Sequence, residues 1–596
     1  MCLGLCTFRH YKISVCHAKK VRIVGLDFVV RSTHRTCTEC TAKIKSGTMS
    51  QRVAVLGGGV GGLSAAHELV ERGFEVSVYE RRDVIGGKAR SLSVPNTGQN
   101  GRKNLPGEHG FRFFPAFYRH LPDTMKRIPY AENLTVFDNL VHATRILVAR
   151  AGKPSLVLTA RIPQNVEDWA LTFKDTFSGI GVPDDEVLYF VDRLLALLTS
   201  CPERRMAEYE QIPWWTFIDA ANHSVDYQIL LGKGLTRSLV AVRAQEGSTR
   251  TVGYTLLQLL FGLLTYGGFD RLLTGPTSDV WLTPWWSYLQ RRGVSFQTGT
   301  AIKSFNLSPT GITSVAAETN GQSHQITADY YISAMPVEIM ATLVDDRVKA
   351  CAPSLANLNK LRTAWMNGIQ FYLAQDVPLE FGHSLYADSP WALTSISQRQ
   401  FWSHANLADF GDGKLGGVLS VDISDWETPG IVYGKTAMQC SATEIEDEVW
   451  AQIKLHLNVA GAVVIRDDNL LRWFLDPDVE FPNPTTTANL EPLLINTGGS
   501  LQYRPEASTE IPNLFLASDY VKTYTDVACM EAANEAARRA VNLLLDRVGS
   551  TAPRAFLWPL MEPDFFKPLI DYDRLRFRLG LPHAGGPFPK SGSHLS

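Results

Sequence analysis

The sequence predicts an α/β fold organised around a dinucleotide-binding βαβ unit at residues 51–80. Three observations predict it: an apolar strand running into glycines at GxGxxG spacing, an amphipathic helix ended by a glycine, and a second strand closed by an acid. Arg52-Val53-Ala54-Val55-Leu56 is short, apolar and rich in β-branched residues, the pattern of a buried parallel strand. Gly57 allows a tight turn, Gly59 lets the backbone approach a pyrophosphate, and Gly62 lets the following helix pack against the strand; Gly61 completes the loop. The helix, over about 61–72, carries Leu63, Ala66, Leu69 and Val70 on one face, so its N-terminal N–H groups point at the loop, where an anion belongs. Gly73 ends it, residues 75–79 return as a strand, and Glu80 follows 23 residues after Gly57. That carboxylate is placed for a ribose diol and would repel a 2′-phosphate.

Beyond Glu80 come Arg81-Arg82-Asp83-Val84-Ile85 and then Gly86-Gly87-Lys88-Ala89-Arg90-Ser91. Paired glycines permit close backbone approach, and Arg81 and Lys88 suit a pyrophosphate; the plainer reading is a glycine turn with solvated charges. An acid-ended second strand followed within ten residues by GG(R/K)xxS resembles the flavin-containing amine oxidase and phytoene desaturase superfamily. The resemblance extends over about 51–547. It implies a Rossmann-like FAD-binding domain of the p-hydroxybenzoate hydroxylase/amine oxidase type with an inserted α+β substrate domain, and FAD held non-covalently. The stretch Gly107-Glu108-His109-Gly110-Phe111-Arg112-Phe113-Phe114-Pro115 is similar to the superfamily segment that passes beside the isoalloxazine ring, which implicates Gly110, Phe111 and Arg112. The same likeness gives Ile302 a backbone contact on the adenine side, Asp519 a hydrogen bond at the ribityl or pyrophosphate end, and Met530 a place where a helix N-terminus faces the flavin pyrimidine and stabilises reduced flavin.

The implied organisation is discontinuous. Residues 49–120, 275–340 and 490–550 form the FAD-binding domain, 121–274 and 341–489 the substrate-binding domain, and 551–596 a C-terminal tail. In 121–274 the α/β alternation is lost, and helical signals alternate with aromatic pieces such as Trp214-Trp215. The apolar run 256–264 is too short to span a bilayer, which needs about 20 residues. It reads as a buried helix lining a core or a substrate pocket, and it is also the best candidate for contact with a lipid surface. Residues 281–292 read as a helix leading into a strand, about 306–327 as a small β-meander, and 341–489 as a mixed, mostly antiparallel sheet.

With 45% hydrophobic and 20% charged residues, the 596-residue chain has the composition of a soluble globular protein with more than one core. Its net charge of −2, and the want of a basic patch with interleaved aromatics, argue against a nucleic-acid partner. The charge is uneven: residues 1–48 hold nine Lys/Arg against Asp27 and Glu39, and five of the nine cysteines. That segment is expected to be a disordered or untranslated extension ahead of Met49, with an organellar presequence as the alternative; a Cys37–Cys40 metal site lacks a second pair. The scattered cysteines elsewhere suit a reduced compartment, so the expected location is cytoplasmic, peripheral to a membrane, or organellar if 1–48 is a presequence.

The closest pattern is that of plant-type carotenoid desaturases and hydroxysqualene dehydroxylase-like FAD oxidoreductases, because Asp519-Tyr520 is followed ten residues later by Met530-Glu531-Ala532. This implies a desaturase or dehydrogenase of a long apolar, isoprenoid/carotenoid or lipid-like substrate, with hydride transfer to flavin N5 and a quinone or O2 as electron acceptor. Trp214, Trp215, Phe261, Trp281, Trp285 and Trp286 are candidates for the pocket wall. The alternative is a flavin amine oxidase acting on a primary or secondary amine between aromatic residues, for which Tyr520 and Tyr524 are available; a non-enzymatic scaffold with structural FAD is the third reading. No metal site is expected. No catalytic acid or base is singled out, although Glu108, His109 and Arg112 lie in the segment expected near the ring. Asn534 and Glu535 stand where many relatives of the superfamily have small residues.

Overall fold

The structure is a computed structural model that describes residues 51–158, 181–234, 236–237, 242–266, 270–377, 379–483 and 486–585. The extension 1–48 and the Gly/Ser/Pro-rich end after Phe588 lie outside the described residues. The βαβ unit is built as its sequence pattern dictates: β1 (Arg52–Leu56), α1 (Val60–Val70) and β2 (Glu75–Tyr79). Three strands from distant parts of the chain, β3 (Ser295–Gln297), β4 (Tyr330–Ser333) and β5 (Leu514–Leu516), join them in a five-stranded sheet of order β3-β2-β1-β4-β5. Every pairing is parallel, with Phe296 against Val78, Val55 against both Val78 and Ile332, and Ile332 against Phe515. The carboxyl ends therefore share one edge, where Gly57, Glu80, Ala334 and Ala517 each follow their strand. The chain leaves β1 to one side for β2 and returns on the other as β4, so a switch point lies at that edge, the usual ligand crevice of such sheets.

A second sheet of seven strands supplies the opposite wall. Its order is Lys153–Leu158, Arg145–Arg150, Gly382–Tyr386, Thr394–Ser397, Gly417–Ile423, Asn367–Leu373 and Leu470–Leu475, antiparallel except where Arg145–Arg150 runs parallel to Gly382–Tyr386. One face packs Ile369, Phe371, Leu419 and Val421 against Ile445, Val449 and Ile453 of the helix Ala442–Leu457. Two of its strands come from a stretch whose sequence reads as helical and aromatic pieces. They pair with each other, and Arg145–Arg150 also pairs with Gly382–Tyr386 more than 200 residues away in the chain; neither strand has a local pattern strong enough to reveal that long-range pairing.

The first insertion is otherwise helical. In α2 (Thr249–Tyr266), Leu256, Leu257, Leu260 and Phe261 are buried against Leu194, Trp214 and Tyr227, so these residues of the run 256–264 form core rather than a lipid-contacting surface. Thr255 and Leu259 of the same helix face a cavity instead. The long α3 (Met530–Arg547) packs Ala536, Ala540 and Leu544 into the core beneath the parallel sheet. The expected C-terminal tail is more than a tail: it returns to the body as α4 (Lys567–Arg578), which buries Ile570 beside Phe566 in the helical core and anchors Asp573 on Arg204. The meander is a three-stranded sheet, Thr300–Ser308, Gly311–Thr319 and Gln322–Ile326. The four cysteines of the described residues are all unpaired.

Candidate functional site

Between the carboxyl edge of the parallel sheet and the second sheet lies a cavity of about 540 Å³. Thirteen of the residues singled out from sequence line it: Gly57, Gly59, Gly61, Glu80, Arg81, Gly87, Lys88, Gly110, Phe111, Arg112, Ile302, Asp519 and Met530. Gly62 does not. A Cβ there would collide with the carbonyl oxygen of Gly57, so Gly62 holds α1 against its own turn rather than touching a ligand.

At the end nearest β1, backbone replaces side chain. A Cβ on Gly61 would run into the carbonyl of Ala517, and Gly87, at φ +54°, approaches so closely that a Cβ would lie 3.0 Å from the Cα of Gly59. Glu80 is buried, its Oε2 accepting from the N–H of Gly58 at 2.8 Å and its Oε1 from that of Arg82 at 2.9 Å, which fixes the carboxylate at the cavity wall. The N-termini of α1 and α3 both open on this cavity, and neither has a side-chain cap. Two uncapped helix starts facing one glycine-lined cleft, with a fixed acid beside it, fit an elongated dinucleotide carrying a pyrophosphate.

The cations are placed differently from their expected role. Lys88 Nζ is paired with Glu338 at 2.8 Å and also donates to the carbonyl of Pro492; Arg81 reaches Glu491 at 3.1 Å. Both line the cavity while their charge is already balanced by these carboxylates. Glu491 also takes Arg82 and Arg90, and Asp478 takes the same two arginines. His109, Asp478 and Glu491 bring candidate metal-ligand atoms within 4.8 Å of one another, but the guanidinium groups already neutralise these carboxylates and make the cluster an ion-pair network. Neither acid has a motif around it that the sequence could have exposed.

Phe111, Phe113, Phe117, Tyr118 and Leu259 give the cavity an apolar, aromatic wall. Arg112 lines it too, donating to the backbone carbonyls of Phe111, Ala89 and Lys88. Two buried carboxyls flank this arginine. Glu108 is pushed up to about 7 by burial, against the pull of Arg112, and its Oε1 accepts from the Ser91 hydroxyl and the Thr277 N–H. Asp422 is pushed up to about 6 by burial and accepts from the Phe111 N–H at 3.3 Å. His109 pairs with Asp476 at 2.6 Å, and its Nε2 faces no partner.

None of Trp214, Trp215, Phe261, Trp281, Trp285 and Trp286 lines this cavity; Trp214, Phe261, Trp281 and Trp285 are core residues. Tryptophan content therefore marked packing, and Phe111, Phe113, Phe117 and Tyr118, which follow Gly110, give the cavity much of its aromatic lining. Tyr520 is buried outside the cavity and Tyr524 is 47% exposed, so neither forms an aromatic slot there. Asn534 binds the hydroxyls of Ser64 and Thr124, and Glu535 takes the N–H groups of Tyr524 and Thr525; both fasten α3 to its neighbours. Cys529 lines the cavity, and its thiol is pushed up to about 12 by burial, which keeps it protonated and unreactive.

Comparison with known proteins agrees with this geometry. The profile of NAD(P)-binding Rossmann-like domains matches residues 55–128, and that of flavin containing amine oxidoreductases matches residues 246–545. The chain is 24% identical over 528 residues to zeta-carotene desaturase of Synechocystis sp., covering 83% of this chain and 97% of that one. It is 23% identical over 495 residues to 15-cis-phytoene desaturase of Synechococcus elongatus, covering 81% and 93%. Among solved structures, cyclohexylamine oxidase from Brevibacterium oxydans superposes with a TM-score of 0.57 at 13% identity, covering 84% of this chain and all of that one.

Proposed function

We propose, for a chain that belongs to the flavin containing amine oxidoreductase family, that it desaturates a long apolar, isoprenoid- or lipid-like substrate. The protein is an FAD-dependent oxidoreductase. FAD, when bound, supplies two-electron redox chemistry; the chain holds it and shapes what reaches it. The glycine turns and the uncapped starts of α1 and α3 receive the pyrophosphate and the flavin pyrimidine, and Glu80 receives the ribose. The protonated Cys529 thiol favours non-covalent FAD. The observation that carries the substrate reading is the apolar wall that Phe111, Phe113, Phe117, Tyr118 and Leu259 give the cavity, to which neither Tyr520 nor Tyr524 contributes an aromatic slot. Such a wall excludes water and orients a hydrocarbon by shape. The test is anaerobic reduction of the bound flavin by a panel of polyisoprenes, fatty acids and amines. Bleaching by polyisoprenes supports the reading, and bleaching by amines alone overturns it.

A substrate of this kind resides in lipid, and no helix among the described residues is long and apolar enough to cross a membrane. Peripheral contact with an anionic lipid surface through α4 fits this reading. Leu569, Tyr572 and Leu575 form an exposed row along α4, continued by Leu579 and Leu581, while Arg576 and Arg578 lie at the same end of the helix and Arg574 is paired with Glu203 and Asp571. Apolar residues beside arginines suit acyl chains beneath acidic headgroups. The electron acceptor in this scheme is a quinone or O2.

A further inference from the structure

We propose that Asp422 is a catalytic residue of this oxidation, the base that accepts the proton lost from the substrate. The inference rests on the desaturation reading and adds the acid–base partner which that chemistry requires.

Four carboxylates line the cavity among the described residues, and three of them have other work. Glu80 is held by two backbone N–H groups beside the glycine turn, and Glu491 by three arginines. Asp519 follows β5 on the parallel-sheet edge, next to the uncapped start of α1, where the cofactor is received. Asp422 comes from the other sheet and accepts a single backbone hydrogen bond, from Phe111.

Two glycines make room for it. A Cβ on Gly110 would lie 2.6 Å from Asp422 Oδ1, and a Cβ on Gly368, directly across the strand from Asp422, would lie 2.7 Å from the Cα of Gly110. Any larger residue at position 110 would seal the carboxylate off from the cavity or force the strands apart.

The charges facing Asp422 are Arg112 and His109 from the segment beside it and His383 from the strand Gly382–Tyr386. His383 is itself paired with Asp270 at 2.7 Å, His109 with Asp476, and Glu108 stands on the far side of Arg112. Burial raises the affinity of Asp422 for a proton, and Arg112 limits that rise. A carboxyl near 6 is ionised at neutral pH yet basic enough to take a proton, which is the condition for general base catalysis.

The step balances. One substrate carbon gives a hydride to oxidised flavin, and the neighbouring carbon gives its proton to Asp422. The electron pair of that second C–H bond becomes the π bond of the new double bond, and the proton passes to solvent when product leaves.

The test compares FAD-loaded wild type with Asp422→Asn and Asp422→Ser, using FAD content and thermal unfolding to confirm that each variant is folded. The flavin absorption spectrum is first titrated between pH 4.5 and 8 without substrate. Wild type should show a transition with an apparent pKa near 6 that both variants lack; a transition retained in the variants, or none in wild type, overturns the proposal. Anaerobic flavin reduction by a polyisoprene in detergent should then slow by roughly 10²–10⁴-fold in the variants and decline below pH 6 in wild type. An unchanged rate overturns the proposal even where the transition is present. If polyisoprenes leave wild type oxidised and an amine reduces it, the substrate reading fails alone, and Asp422→Asn must then slow that reduction for Asp422 to keep its role. If no donor reduces wild type, the spectral titration decides.

Discussion

Gly62 of α1 presses so closely on Gly57 that a Cβ at position 62 would overlap the Gly57 carbonyl oxygen. The contact is backbone on backbone, so no rotamer can relieve it. Gly62→Ala is therefore expected to lower stability by about 1–3 kcal/mol, as overpacking does, and to reduce bound FAD because the turn at Gly57 moves. Thermal unfolding together with flavin content measures both effects. Unchanged values would show that α1 can slide without loss.

Glu80→Ala should weaken FAD binding by about 1–3 kcal/mol, the usual cost of removing a charged hydrogen-bonding partner. The carboxylate also ties Gly58 to Arg82 through two N–H groups, so part of the loss will come from a looser turn. FAD titration of the apoprotein, with the cofactor removed by dialysis at high salt, measures it. Wild-type affinity in the variant would mean that the ribose is held elsewhere.

Glu531, the second residue of α3, accepts from the N–H groups of Arg119, His120 and Leu121 and lies 2.8 Å from His120 Nδ1. Burial pushes its carboxyl up, but the His120 hydrogen bond and charge and these N–H groups outweigh burial and hold it below the ordinary range. A carboxyl depressed in the folded state contributes stability that is present above the unfolded value, about 4.3, and lost as pH falls through the folded value. Glu531→Gln should thus destabilise by about 3–5 kcal/mol at pH 7, the cost of breaking a buried pair, and by progressively less in acid. Denaturant unfolding at pH 7 and pH 4 checks the sign; a deficit that grows in acid would contradict it.

Lipid contact through α4 is tested by flotation with vesicles containing acidic phospholipid. Wild type starting at Met49 should float, less so at high salt, where the arginine contribution is screened. Leu575→Glu combined with Leu579→Glu should abolish flotation without changing FAD content, since both side chains are exposed. If wild type stays at the bottom at both salt concentrations, the docking reading is wrong.

The glycine-lined part of the cavity was legible from the chain because its steric demands are local. A turn, a helix start and a strand end lie within 30 residues, and steric demand on glycine leaves a spacing that any reader can find. The family likeness extended this to Gly110, Phe111, Arg112, Ile302, Asp519 and Met530, all of which reach the same cavity. Composition misled where burial was the question: Trp214, Trp281 and Trp285 suggest a substrate wall in sequence but pack the core, and the run 256–264 divides its faces between core and cavity.

Spacing along the chain thus determined the glycine turn, the helix that follows it and the acid at the end of the second strand, because each depends on neighbours a few residues away. Tertiary structure alone decided that Asp422 meets Gly110 across 312 residues of chain, that Glu491 and Asp478 close over Arg90, and that α4 shows Leu575 to solvent while burying Ile570. Those outcomes depend on which surfaces are removed from water together. Burial that joins distant segments leaves no periodic trace in either of them.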